Sequence, residues 1–351
     1  MKFIALDVNV GDSFILMTDN NTFIVDGGKS EKGILSKLYS SSISNVNVLI
    51  CTHYDADHLN GIIGIAKSSK IHYNEIWLPD IFGDIALTIS KNEEIIFEII
   101  NNNNIYTDIK HDISLSNYLE KLHIDYEKIK TNTYESLNID ILEHINNRLD
   151  CKCIFLPYFK PYITLNILKK IITLIIESVK SGAHIRWLKY VDKYQNNRIT
   201  SNYDLYALNS HETTILQYNK TQLLNALYCL TIINKESLVF LYNQSDSTPN
   251  ILFTSDSDFS FMSNNLKLND YSIFTAPHHG SHDNRNVYGM IKGNNILCVR
   301  CDSSQTVRPC NEYLQLPIKY CTICRTNTIK KPVILQYING GWNTNNNICQ
   351  C

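Results

Sequence analysis

The chain has 351 residues, enough for one large core or two modest ones. Hydrophobic residues make up 44% and charged residues 19%, a globular balance that argues against disorder. The net charge of -2 excludes a global pull toward nucleic acid or anionic membrane, so a nucleic-acid substrate would need a local basic groove or metals to hold it.

The first seven residues bring an aspartate, Asp7, too early for the apolar region of a signal peptide. The most apolar stretch, near Ile163–Val179, is broken by Asn166, Lys169, Lys170 and Glu177, so it does not read as a membrane span. Eleven cysteines without an export signal point to reduced thiols and a cytoplasmic location.

Short alternating runs predict strands at Phe3–Leu6, Ser13–Met17 and Thr22–Val25, the last ending at Asp26-Gly27-Gly28. A helix is expected over Lys32–Tyr39. Val46–Cys51 then reads as a buried strand that delivers Thr52 and His53 to its end, and Leu59–Ala66 as a helix. Residues 85–225 read as mainly helical and polar, with helical spacing over Leu165–Lys180 and Gly182 as terminator. Strands return at Ala226–Ile233, Ser237–Tyr242, Asn250–Thr254, Ser272–Ala276, Ile296–Val299, Tyr320–Cys324 and Val333–Ile338. Sheet-rich segments at 1–84 and 226–351, separated by a helical insertion or lid at 85–225, predict an α/β (α+β) chain built as a four-layer αββα sandwich.

The chemistry concentrates in His53-Tyr54-Asp55-Ala56-Asp57-His58. Two imidazoles interleaved with two carboxylates in one tight loop supply the mixed nitrogen and oxygen donors that suit zinc, manganese or iron. The spacing lets His53 and Asp55 face one ion while Asp57 and His58 face another. Two such ions can share a hydroxide and clamp an in-line displacement. A strand also runs into Asp256, a natural place for a bridging carboxylate, although strand-end aspartates often only cap turns. Another ends at Pro277-His278-His279-Gly280-Ser281-His282, where three histidines in five residues favour a ligand plus a proton donor.

Together these motifs resemble the metallo-β-lactamase superfamily, and within it the metallohydrolase domain of ComEC-type DNA-uptake proteins. The resemblance covers both sheet-rich halves. It rests on Leu6–Ser13, Ile24–Gly28, the histidine loop with Asp55 in place of a second histidine, Asn234–Val239, Leu252–Asp256 and Pro277–Ser281. It implies two divalent ions, zinc or manganese. His53 and Asp55 would bind the first, Asp57, His58 and His278 the second, and Asp256 would bridge them. Asp26 would orient an imidazole from behind. Asn234 and Ser237 stand where this branch lacks a histidine ligand. Asp57 and His279 are the expected catalytic groups, Asp57 for the proton of the attacking water. The implied activity is a phosphodiesterase or nuclease acting on a nucleic acid or nucleotide, with no membrane partner. Two alternatives remain open, a lactam, lactone or thioester hydrolase on the same centre and a non-catalytic metal-binding sensor.

Other features carry less. Cys298–Cys301 and Cys321–Cys324 have zinc-like CxxC spacing, but residues three apart on a strand face opposite ways, which favours buried free thiols. Cys151–Cys153 and Cys349–Cys351 read the same way. Lys160, Lys169, Lys170, Lys180, Arg186, Lys189, Lys193 and Arg198, with Trp187, Tyr190 and Tyr194, could form a phosphate-binding lid, yet a solvated helix face is the plainer reading. His184, His211 and Glu212 have no spacing that ties them to the centre, and Arg308 could bind a phosphate but carries little weight alone.

Overall fold

A computed structural model describes residues 1–92, 94, 142–143, 161–219, 222–223, 226–227, 236–301, 308–324, 330–349 and 351, with the backbone alone for 161–165. The strands in chain order are β1 (Lys2–Ala5), β2 (Phe14–Met17), β3 (Thr22–Val25), β4 (Asn45–Ile50), β5 (His72–Pro79), β6 (His184–Tyr190), β7 (Asn197–Arg198), β8 (Leu205–Ala207), β9 (Ser210–Thr213), β10 (Phe240–Tyr242), β11 (Ile251–Phe253), β12 (Leu266–Lys267), β13 (Ile273–Thr275), β14 (Ile291–Lys292), β15 (Leu297–Arg300), β16 (Lys319–Cys321), β17 (Val333–Ile338) and β18 (Gly341–Asn343). The helices used below are α1 (Glu31–Ser40), α2 (Ala56–Ala66), α3 (Asp80–Lys91), α4 (Pro161–Lys180), α5 (Asn286–Met290) and α6 (Asn311–Leu314).

Among the described residues the larger sheet runs β18-β17-β1-β2-β3-β4-β5-β6-β9, and the second runs β16-β15-β13-β11-β10-β8-β7. Strand alternation explains how the two sheets stack. On β1, Phe3 and Ala5 join the layer between the sheets, while Ile4 packs on the helical side. Phe14, Phe23, Val48, Ile50 and Trp77 of the first sheet meet Phe240, Phe253, Ile273, Leu297 and Val299 of the second there. The outer face of the first sheet is covered by apolar stripes of α1, α2, α3 and α4, among them Leu38, Ile62, Ile85 and Ile172. Val239, Leu241 and Phe274 point to the outer face of the second sheet, under α5, α6 and the loop carrying Phe259 and Phe261. The result is the four-layer αββα sandwich that the strand and helix pattern predicts.

The middle region differs from the sequence reading of 85–225 as mainly helical. Its described part holds α4, but β6 and β9 extend the first sheet and β7 and β8 extend the second. The polar residues that disguise β6 are paired along the ladder. Arg186 donates to Glu75 Oε2 on β5 (2.7 Å) and to Glu212 Oε1 on β9 (2.9 Å). Lys160 and Asn234 lie outside the described residues, as do Cys151 and Cys153. No helix among the described residues is long and apolar enough to cross a membrane.

Helix α2 sits unusually close to the loop after β3. A Cβ on Gly61 would fall 1.8 Å from the Gly27 carbonyl oxygen, so only a bare backbone permits this contact. The Gly27 N–H donates to the His58 carbonyl (2.9 Å) and Gly61 N–H to the Gly28 carbonyl (3.0 Å). This close approach brings the first turn of α2 beside Asp26.

Candidate metal centre

Four strand ends converge on one point. β3 leads into Asp26, β4 into Thr52 and His53, β11 into Ser255 and Asp256, and β13 into His278 and His279. β3 and β4 are parallel neighbours, as are β11 and β13, so all four loops leave the carboxyl ends of parallel strands. There the side chains are free of the ladder and can serve a ligand. Asp55 caps α2, and Asp57 and His58 occupy its first turn. The Val10–Asp12 turn closes against Asp57 through Gly11 (φ 90°), whose added Cβ would lie 1.8 Å from the Asp57 carbonyl oxygen.

Each of four imidazoles is held from behind through Nδ1, which leaves Nε2 facing inward. His58 Nδ1 donates to Asp26 Oδ2 (2.8 Å) and His279 Nδ1 to Asp12 Oδ1 (3.0 Å). Asn284 Nδ2 donates to the Asp256 and Ser257 carbonyls, which fixes its amide and turns Oδ1 toward His278 Nδ1 (3.1 Å). Thr52 donates its hydroxyl to Asp26 Oδ2 (2.8 Å), so Thr52 Oγ1 can accept from His53 Nδ1 (3.0 Å). Such backing fixes the tautomer and is the usual support of metal-bound histidine.

The inward atoms form two groups around the Asp256 carboxylate. His58 Nε2 and His279 Nε2 approach its Oδ1 at 3.3 and 3.7 Å, and His279 Nε2 also lies 3.3 Å from Asp57 Oδ2. His53 Nε2 approaches Oδ2 at 3.6 Å and stands 3.9 Å from Asp55 Oδ2. Asp12, His58, Asp256 and His279 offer one set of converging donor atoms, and His53, Asp55 and Asp256 another. His278 Nε2 is 3.5 Å from Asp256 Oδ2 and receives a hydrogen bond from Arg308 Nη2 at 3.0 Å.

The donors fit divalent cations. Asp256 Oδ1 and His53 Nε2 are buried acceptors with no hydrogen-bond partner. Burying such an atom unpaired costs about 1–3 kcal/mol, which a cation in each of the two groups would remove. The proton balance points the same way. Burial alone would push His58 down, but Asp256 and then Asp26 outweigh it and raise its pKa well above the ordinary imidazole value. For His279, burial is likewise overcome, here by Asp12 and Asp256. Burial would push Asp256 and Asp57 up. The charges of His58 and His279 on Asp256, and the His279 hydrogen bond to Asp57, instead hold both well below the usual carboxylate range. The pocket therefore demands positive charge, and metal ions meet that demand with the geometry the imidazoles already present.

His53, Asp55, Asp57, His58, Asp256 and His278 are all brought to this centre, with Asp26 behind His58. The two neighbouring histidines, however, stand opposite to expectation. His279, expected as a catalytic group rather than a ligand, is buried on the Asp57–His58 side. His278, expected there, is one-fifth exposed on the His53 side. The reason is the turn itself. Both residues take positive φ (45° and 54°), which reverses the order in which a plain strand end would present them. Ser237 is buried beside the centre's support, where its carbonyl accepts from Asn209 and the next N–H donates to the Thr52 carbonyl (3.1 Å). Glu212 pairs with Arg186 on the ladder rather than reaching the centre.

Sequence reasoning missed Asp12, Asn284, Thr52 and Ser255 and discounted Arg308. Asp12 had one available signal, a carboxylate after Val10-Gly11 in the first motif of the resemblance, but it read only as a turn. Ser255 (φ 48°) places its hydroxyl 2.6 Å from Thr52 Oγ1, joining the two sheets behind His53.

No protein-family model matches the chain, and no curated protein matches it. Among solved structures the chain is similar to AidC, a dizinc quorum-quenching lactonase in complex with a product. The TM-score is 0.30 and the identity 11%, over 70% of this chain and 55% of that one. The chain thus spans about half the length of that protein. So faint a likeness decides neither fold nor activity, which rest on the strand order and side chains described above.

Proposed function

We propose that the chain is a metal-dependent hydrolase whose substrate is a phosphodiester. The observation that carries the reading is the convergence of three inward imidazole nitrogens, His53, His58 and His279, on the two oxygens of one buried carboxylate, Asp256. His53, Asp55 and Asp256 would hold one divalent ion, and Asp57, His58, His279 and Asp256 the other. Ions bound there supply Lewis acidity toward the scissile group and toward water.

The remaining roles belong to the chain. Asp57, one-quarter exposed beside His279, can take a proton from an approaching water. His278 and Arg308 flank the more open side of the centre. Arg308 offers a planar fork of donors that matches phosphate oxygens and can meet the negative charge that grows on them. This guanidinium, together with an oxygen-rich donor set, favours a phosphodiester over an uncharged lactone or thioester. It also gives the catalytic reading weight over a sensor.

The test is turnover. Protein treated with chelator and then reloaded with zinc or manganese is assayed on single-stranded DNA, RNA, cyclic nucleotides and an aryl phosphodiester, beside lactone and thioester panels. Metal-restored cleavage of a phosphodiester is expected. Restored cleavage of the lactone or thioester panel alone would move the reading to that bond class, and a loaded centre with no turnover would favour a sensor.

A further inference from the structure

A second cluster of ligands lies on the outer side of the second sheet. Cys321 closes β16. The chain then continues through Thr322, whose N–H donates to the Arg300 carbonyl (3.0 Å), and Ile323, which bridges Lys330. Strand geometry would send Cys321 and Cys324 to opposite faces, but β16 stops at Cys321, so Cys324 is freed from that rule. The partner pair comes from elsewhere in the chain. Cys349 N–H donates to the Lys319 carbonyl (2.8 Å), which lays the segment after β18 along β16.

Three of the four thiols gather as a result, and Cys324 joins them through Cys349. Cys349 Sγ is 2.9 Å from Cys324 Sγ and 2.9 Å from Cys351 Sγ, and Cys321 Sγ is 3.8 Å from Cys351 Sγ. The sulfurs of Cys321, Cys349 and Cys351 all lie within 4.8 Å of one another. None of the four cysteines is in a disulfide, and none of these separations is an S–S bond of about 2.0 Å. Around a tetrahedral zinc with Zn–S of about 2.3 Å, sulfurs stand about 3.8 Å apart. Opening of the two short contacts, with Cys324 drawn in from its place beside Cys349, would satisfy that arrangement.

The surroundings suit a negatively charged tetrathiolate. The Tyr313 hydroxyl, which donates to the Tyr320 carbonyl (3.1 Å), lies 2.9 Å from Cys321 Sγ. The fully buried Arg300 guanidinium donates to the Ile323 carbonyl (3.0 Å), between the first two cysteines, and lies over the Tyr313 ring. A buried cation beside four thiolates offsets the excess charge that zinc alone leaves. The other CxxC pair shows the contrast. Cys298 packs in the outer core and Cys301 between the sheets, so those two face apart.

We propose that Cys321, Cys324, Cys349 and Cys351 form a structural zinc site that clasps the segment around Cys349 to the edge of the second sheet. It is independent of the histidine–carboxylate centre and needs no open coordination position. Cobalt substitution of the full chain, purified under reducing conditions, tests it. Thiolate ligands give an intense near-ultraviolet sulfur-to-cobalt band that imidazole and carboxylate ligands do not. The band is expected in the parent and in His53→Ala/Asp256→Ala, which disables the other centre. It should vanish in Cys349→Ser/Cys351→Ser, with one zinc fewer per chain. Because that variant could fold poorly, the parent is also alkylated natively with and without chelator. These four cysteines should be shielded until zinc is removed. Absence of the band in the parent, or a Cys324–Cys349 disulfide in the reduced protein's peptide map, overturns the site and leaves the hydrolase reading untouched.

Discussion

Asp26 shows how much one carboxylate can organise. It accepts from the Thr52 N–H (2.9 Å), the Thr52 hydroxyl (2.8 Å) and His58 Nδ1 (2.8 Å), so it sets the loop after β4 and an imidazole of α2 together. Asp26→Asn should keep the fold but lower metal affinity by about 10–100-fold, read by metal titration with circular dichroism as control. Arg308→Ala is expected to cut kcat on a phosphodiester on the order of a hundredfold, with Arg308→Lys recovering little because the planar fork is lost. An unchanged kcat would remove Arg308 from the reaction. Glu236 offers a pH test away from the reacting groups. Burial, aided by Asp80 and Asp192, pushes its pKa from 4.5 up to about 7. The fold then binds more protons than the unfolded chain between those values. Stability from this group is fully present below 4.5 and lost as pH rises through about 7. Glu236→Gln should therefore gain on the parent in denaturation midpoint above pH 7 and not below 4.5.

At the scale of elements, the αββα layering was legible because apolar alternation marks strands whatever their partners. The histidine loop was legible because imidazoles and carboxylates rarely crowd six residues without a reason. β6 and β9 were not, since Arg186 and Glu212 are polar residues paired with each other and with Glu75 across neighbouring strands. The order of His278 and His279 was not legible either, because it depends on two consecutive positive φ values that no composition signal announces. Nor was Asp12, which meets His279 across 267 positions of sequence. The seat of α2 rests on a contact only glycine allows. Gly61→Ala would force α2 off the Gly27 loop at a cost of about 1–3 kcal/mol or more. It should also weaken metal binding, since His58 moves with the helix. A thermal melt and a metal titration read the two effects, and an unshifted melt would show that the loop yields freely.

For the whole molecule, the centre joins the two sheets. His53 and His58 belong to the first, Asp256 and His279 to the second, and the Thr52–Ser255 contact runs behind them. Ions bound there would act as cross-links between layers. Removing them should lower the melting temperature, and at a free metal concentration of 100 times Kd the bound protein should gain about 2.7 kcal/mol over the apo form. A melt insensitive to chelator would mean that the layers hold without them.

The Thr52–Ser255 contact spans 203 positions. At about 5–20 residues per second of synthesis, roughly 10–40 s separate the emergence of its two ends from the ribosome. For that interval the nascent chain presents half a centre, with Asp26, Asp55, Asp57 and two imidazoles but no Asp256 or His279. The proposed two-ion arrangement could not exist on the growing chain until its last third is made, so loading would be a late event that competes with any earlier capture of the histidine loop.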